Sequence, residues 1–270
     1  MAPNLDPLNN QVFELFNLKT DPTQTTNVAD QHPDMVRDLR QTFVREATKY
    51  QVFPLDASVG QRVIAPRPNI TAGRDEFVYT HAMVGLPQGD SPLLLNSSYT
   101  ITAEIEVPEG GAEGMILTSG GRFAGYGFYL LDGKPVFLWN LVDLERIKWA
   151  GKDALTPGKH TLEFDFDYEG LGLGTLQYNS MSGLGRPGTL KVDGEVVDSK
   201  KMEKTIPIIL QWDESFDIGS DTLTGVNDAD YKPPFPLTAK LEKLTIKVER
   251  PQLTDADRKR LKEAMLKASD

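Results

Sequence analysis

The 270-residue chain contains no cysteine. Disulfides, thiolate metal sites and a cysteine nucleophile are therefore excluded. No apolar run approaches the roughly 18 residues of a membrane-spanning helix. The first ten residues, MAPNLDPLNN, lack the basic start and apolar core of a signal peptide. Basic residues are outnumbered, 29 to 39, for a formal net charge of -10. Such a surface argues against nucleic-acid backbones and anionic membranes as partners, since both need clustered Lys and Arg. The three histidines, His32, His81 and His160, form no H-x-x-x-H zinc pair, and no G-x-S-x-G nucleophile elbow occurs. There is no internal repeat.

What is present is a string of turn signals between apolar runs. The segment GGRFAGYGFYLLDGKPVFLWNL, residues 120–141, places two aromatic runs around Asp132-Gly133. Asp-Gly tolerates the positive φ of a tight hairpin turn, so this reads as a central hairpin. Leu190 to Val197 reads as a second hairpin, turning at Asp193-Gly194. Tyr99 to Val107 and His160 to Tyr168 alternate apolar with polar residues, as half-buried strands do. Met115 to Thr118 and Arg146 to Ala150 are shorter strand candidates. The apolar phase is odd from Phe235 to Leu241 and even from Leu244 to Val248. That change predicts a β-bulge near Glu242-Lys243.

The ends differ. Gln11 to Leu18 reads as a short strand. Val36, Leu39, Phe43, Ala47 and Tyr50 recur at steps of three and four, which predicts a helix from Pro33 to about Tyr50. Residues 51–75 hold Pro54, Pro66 and Pro68 and read as a connector. A second helix is expected over 251–270, opened by a capping pair, Thr254 and Asp257. The expected organisation is therefore mainly β: an antiparallel β-sandwich over 76–250, jelly-roll or concanavalin-like, after a strand-helix segment over 1–50.

Several residues stand out as site candidates. Asp217, Asp221, Asp228 and Asp230 lie in one acidic loop that could hold Ca²⁺ through carboxylates, although the spacing matches no EF-hand. Solvated turn acids are the competing reading. Trp139, Trp149 and Trp212, with Tyr126 and Tyr129, could form a sugar-stacking platform or a core. Arg122, between glycines and Phe123, suits an anion or a surface ion pair. Gly183, Gly185 and Gly188 match G-x-G-x-x-G, but a strand rather than a helix follows, so a hairpin loop is the reading. Asn69-Ile70-Thr71 and Asn96-Ser97-Ser98 match the glycosylation sequon.

One further pattern is a resemblance. Glu14-Leu15-Phe16-Asn17-Leu18, then Asp21-Pro22, Gln24 and Asn27-Val28-Ala29 ahead of the Pro33 helix, resembles the closing segment of the sulfatase family. The usual form there is E-L-Y-D-L, two residues, D-P, an acidic residue, then N-L-A. This chain departs at Phe16, Asn17 and Gln24. Tyr50 to Asp56, Arg67-Pro68, Thr71 to Arg74, Gly110 to Gly114, Gly120 to Phe123, Phe216 to Gly219 and Pro234-Phe235 resemble a subgroup of larger bacterial arylsulfatases. Sulfatases act through a formylglycine made in a C/S-x-P-x-R motif and hold Ca²⁺ beside it. Neither that motif nor the metal-binding segments occur here, so no catalytic residue or cofactor is carried over.

The resemblance implies a non-catalytic C-terminal part of an arylsulfatase-like sulfuric ester hydrolase, inactive alone. Its partners would be a sulfatase catalytic domain or a second copy. The alternative is a free-standing lectin-like sandwich that binds carbohydrate or a sulfated ligand.

Overall fold

The computed structural model describes residues 11–53, 55, 70–170, 187–202, 205, 213–250, 252, 254–257 and 259. The chain divides into two compact units, Met1–Pro68 and Asn69–Asp270.

In the first unit, a 3-10 turn at Ala29–Gln31 leads into helix α1, Pro33–Lys49. Pro33 sits in the first turn, where its missing N–H costs nothing, and Asp34 complements the positive end of the helix dipole. The helix closes with Val52 N–H donating to the Ala47 carbonyl at 2.8 Å. Gln51 takes the positive φ, 56°, that this closure requires.

The expected strand at residues 11–18 does not form. A strand needs a neighbour to take its backbone groups, and here they turn inward. Leu15 N–H donates to Asn27 Oδ1 at 2.9 Å, and the Leu15 carbonyl accepts from Val28 N–H at 2.8 Å. The Asp21 carboxylate accepts from Thr26 N–H at 2.8 Å and Thr25 N–H at 3.1 Å. Those two bonds, the Thr26 one first, hold its pKa below the usual carboxylate value. The residues that carry the sulfatase-like pattern thus build turns.

The second unit is an antiparallel sandwich with twelve strands among the described residues. Sheet A contains β1 (Glu76–Tyr79), β12 (Lys240–Glu249), β3 (Ser98–Val107), β8 (Gly158–Phe166), β9 (Pro187–Val192) and β10 (Glu195–Lys201), in that spatial order. Sheet B contains β2 (Met83–Pro87), β11 (Ser215–Ile218), β4 (Gly114–Gly121), β5 (Ala124–Leu131), β6 (Lys134–Leu141) and β7 (Glu145–Ala150). The expected hairpins are β5–β6 and β9–β10, turning at Asp132-Gly133 and Asp193-Gly194 with positive φ at all four residues. The expected bulge lies between Leu241 and Lys243, against β3.

Residues 235–239 do not extend β12. Pro234 and Pro236 offer no N–H to a ladder, and only an isolated bridge joins Pro236 to Met115. Of the second helix, residues 255–257 and 259 are described as helical. Thr254 Oγ1 donates to the Asp257 carboxylate at 2.6 Å, and Asp257 N–H donates back to Thr254 Oγ1 at 3.2 Å. The rest of 251–270 lies outside the described residues, as do Trp212, Asn69, Gly183 and Gly185.

Between the sheets, β3 alternates strictly, with Tyr99, Ile101, Ala103, Ile105 and Val107 buried. Strands β5 and β6 do not alternate, because both of their faces are covered. Phe128 and Phe137 face sheet A, whereas Tyr129, Val136 and Leu138 face outward and pack with Val226, Tyr231 and Phe235. A strap over residues 219–239 thus lies on the outer face of sheet B. Gly120 pairs with Gly125 across β4 and β5. A Cβ on either would overlap a carbonyl oxygen of the other strand, so this end of the hairpin has room only for glycine.

Candidate functional site

The acids of the expected Ca²⁺ loop do not converge. Asp217 is buried in β11, accepting from Gly85 N–H at 2.7 Å and from Thr222 N–H at 3.1 Å. Asp221 is buried and accepts the Tyr231 hydroxyl. Asp228 pairs with Arg122. Asp230 accepts from Tyr129 and pairs with Lys148 at 2.7 Å. Burial alone would raise the Asp230 pKa; Lys148 and Tyr129 reverse that and lower it. Asp217, Asp228 and Asp230 pin the strap to the sheet at different places, and Asp221 closes the strap on itself. Among the described residues, no group of three or more acidic or histidine side chains is arranged to hold a metal ion.

His160 is satisfied in place. Its Nδ1 lies 2.7 Å from Asp193 Oδ2 and its Nε2 lies 2.8 Å from the Thr156 carbonyl. Burial would lower its pKa, but these two acceptors raise it. The imidazole ties the β9–β10 turn to β8.

The aromatics resolve into two groups. Trp149 is fully buried, and its Nε1–H donates to the Gly188 carbonyl at 2.8 Å. Trp139 and Tyr126 are also inward, so with Trp149 they form no outward platform. Trp139 and Tyr126 do meet, as cross-strand neighbours on β6 and β5, and both line a half-open cavity of about 40 Å³. Arg122 is not part of its lining.

The cavity sits between the sheets, at the end where β4 and β6 finish and β5 begins. Its aromatic walls are Tyr99 and Phe166 from sheet A and Tyr126 and Trp139 from sheet B. Gln88, residues 91–96, Ser119, Met202 and Thr205 complete it. The volume takes a few water molecules or one small polar substituent.

Its polar groups are unusual. Gln88 Oε1 accepts from Ser119 Oγ at 3.0 Å, and Asn96 Oδ1 accepts from Thr205 Oγ1 at 2.6 Å. These bonds leave Gln88 Nε2 and Asn96 Nδ2 buried without an acceptor. The Tyr126 hydroxyl is buried and makes no hydrogen bond of normal geometry; burial raises its pKa against the influence of the neighbouring Ser119 hydroxyl, so it stays a neutral donor. Buried polar groups in folded proteins are nearly always satisfied, and each orphan costs on the order of 1–3 kcal/mol. These donors lie around one cavity with hydrogen-bonding capacity that water or another small polar group satisfies.

Sequence reasoning found Tyr126 and Trp139 but missed Gln88, Asn96, Ser119 and Thr205. No local signal marks them. Asn96 matches a sequon, yet its side chain is buried.

No family model matches the chain, and no curated protein matches it. Solved structures resemble it at low identity. The mouse laminin alpha1 chain, domains LG4-5, is 15% identical, with 67% of this chain and 40% of that chain covered and a TM-score of 0.41. The Ruminococcus gnavus IT-sialidase CBM40, solved with alpha2,6 sialyllactose, is 13% identical, covering 62% of this chain and 83% of that one, with a TM-score of 0.37. The botulinum neurotoxin serotype D binding domain is 13% identical, covering 73% and 48%, with a TM-score of 0.38.

Proposed function

We propose that the sandwich is a non-catalytic binding module that seats a neutral polar substituent of a saccharide in the cavity between its sheets. The observation that carries this reading is the trio of unpartnered donors, Gln88 Nε2, Asn96 Nδ2 and the Tyr126 hydroxyl, set among four aromatic walls. Amide and hydroxyl donors suit hydroxyl or acetamido oxygens, and aromatic rings suit the apolar face of a sugar. The described lining residues include no carboxylate and no cation. A sulfate ester would enter that lining without a counter-charge, so neutral glycans are favoured over sulfated ones.

Tyr126→Phe tests this directly. It removes one orphaned hydroxyl and leaves the ring. The variant is expected to be as stable as the wild type or up to about 1 kcal/mol more stable. It should bind a neutral methyl glycoside about tenfold more weakly, by titration of tryptophan fluorescence, and 6-O-sulfation of the sugar should weaken binding to the wild type. Unchanged affinity in the variant would remove Tyr126 from the site, and preference for the sulfated sugar would reverse the reading of the lining.

A second reading is favoured by the first unit. Met35, Leu39 and Phe43 recur every four residues on α1 and are exposed. Apolar residues in such a row mark a contact surface. In this reading the chain is an accessory part of an arylsulfatase-like hydrolase, and α1 is where it meets the catalytic domain or a second copy. Leu39→Glu should leave thermal unfolding unchanged and abolish self-association or capture of a separately purified arylsulfatase catalytic domain. Association that survives the substitution would place the contact elsewhere.

A further inference from the structure

Two amide side chains in the cavity wall are held the same way round. Gln88, in a 3-10 turn after β2, and Asn96, just before β3, both belong to the connection between those strands. Ser119 Oγ donates to Gln88 Oε1 at 3.0 Å, and Thr205 Oγ1 donates to Asn96 Oδ1 at 2.6 Å. Each amide thus engages its oxygen on a neighbouring hydroxyl and leaves its NH2 group buried without an acceptor.

The local backbone supports this arrangement. Ser91 Oγ donates to the Gln88 carbonyl at 2.9 Å and closes the turn that carries Gln88. Asn96 lies at a φ of 45°, which asparagine adopts more readily than most residues with a side chain. Its side chain is almost fully buried. Turning the Asn96 amide over would take the acceptor from the Thr205 hydroxyl, which has no other among the described residues.

The chemistry of the wall then discriminates between guests. A sugar hydroxyl accepts from the NH2 groups but brings an O–H of its own, and both amide oxygens of the wall are already engaged. A carbonyl oxygen accepts on two lone pairs and brings no proton. The methyl group of an acetamido substituent also suits the aromatic walls. We infer that the group seated in the cavity is an acetamido substituent, bound through its carbonyl oxygen. The ligand class is then a neutral acetamido sugar rather than a plain hexose, and Ser119 and Thr205 are the positioning residues that set the preference. This inference rests on the binding-module reading above and names its ligand class.

Paired methyl β-glycosides test it: glucose against N-acetylglucosamine, and galactose against N-acetylgalactosamine, titrated by tryptophan fluorescence. With the wild type, the acetamido member of the pair that binds should be about tenfold tighter. Thr205→Val and Ser119→Ala each release one amide to turn over, and in each the ratio should fall to about threefold or less. Their melting temperatures should drop by about 2–4 °C for the lost hydrogen bond. Thr205→Ser keeps the hydroxyl and should keep the ratio, whereas a merely structural Thr205 would weaken both members alike. In nitrogen-15 spectra of the wild type, the side-chain NH2 protons of Gln88 and Asn96 should shift downfield when the acetamido sugar binds.

The inference is overturned, and the cavity reading stands, if glycosides bind the wild type with a ratio below about threefold. The same holds if the ratio survives in both Thr205→Val and Ser119→Ala, or if neither NH2 group shifts. If no glycoside of either kind binds, the cavity reading falls and takes the inference with it.

Discussion

Trp149→Ala is expected to bring the sandwich to the edge of unfolding. Trp149 meets Phe137 at 5.9 Å and Phe164 at 4.9 Å, both edge to face, while Phe137 and Phe164 stack at 3.5 Å. The cluster therefore joins β6 and β7 of one sheet to β8 of the other. The indole also donates to the Gly188 carbonyl of β9. Gly188 has no Cβ, and one placed there would come within 2.8 Å of both Trp149 and Phe164. Truncation removes a fully buried aromatic and leaves a cavity, which costs about 3–5 kcal/mol. It also strands a buried carbonyl, at about 1–3 kcal/mol. These costs overlap, so a total near 4–5 kcal/mol is expected, against a typical domain stability of about 5–15 kcal/mol. Urea unfolding followed by far-ultraviolet circular dichroism measures it. Trp149→Phe should lose only about 1–2 kcal/mol. A loss below 1 kcal/mol for the alanine variant would show that the cluster is not what ties the sheets together.

Asp221→Asn is expected to stabilise the protein at neutral pH. Burial raises the Asp221 pKa from the ordinary 3.8 to about 6, and the Asp217 and Glu214 carboxylates push the same way, against the Tyr231 hydrogen bond. As pH rises past 4, the unfolded chain releases this proton while the folded chain keeps it until about pH 6. The folded state then binds more protons, so stability falls with rising pH across that window. Above pH 6 the full penalty applies, at most about 2–3 kcal/mol from a shift of roughly two units. Asparagine cannot ionise, and its amide oxygen can still accept from Tyr231. The variant should therefore match the wild type near pH 4 and exceed it by about 2 kcal/mol at pH 7. Urea midpoints of both proteins at pH 4, 5 and 7 test the sign. A difference that does not change with pH would mean that Asp221 does not titrate in this range.

Together with the Tyr126 and strap observations, these results bear on one architecture. Of the carboxylates that suggested a Ca²⁺ loop, Asp217, Asp228 and Asp230 fasten a strap over sheet B and Asp221 closes the strap on itself. The aromatics that suggested a platform form the core, with two of them also walling the cavity.

The sequence by itself determined what depends on neighbours a few residues apart. Asp132-Gly133 and Asp193-Gly194 set two hairpins because only a few residue types accept positive φ in a two-residue turn. Alternation marked β3 and β8, a phase change marked the bulge in β12, and Pro33 with a four-residue apolar step marked α1. Tertiary structure decided everything that depends on partners far along the chain. Residues 11–18 have strand-like composition but no strand beside them, so they turn back on Asn27. The short strands β1 and β11 exist because the longer β12 and β4 accept them, and β2 in turn pairs with β11. Strands β5 and β6 are buried on both faces because the strap at 219–239 returns to cover them. The cavity draws Gln88, Asn96, Ser119, Tyr126, Trp139 and Thr205 from five separate parts of the chain, and their unpartnered donors arise only when the two sheets close. Turn chemistry is local and can be read from adjacent residues. Sheet order and buried polar groups depend on which distant surfaces meet, and only the folded chain fixes that.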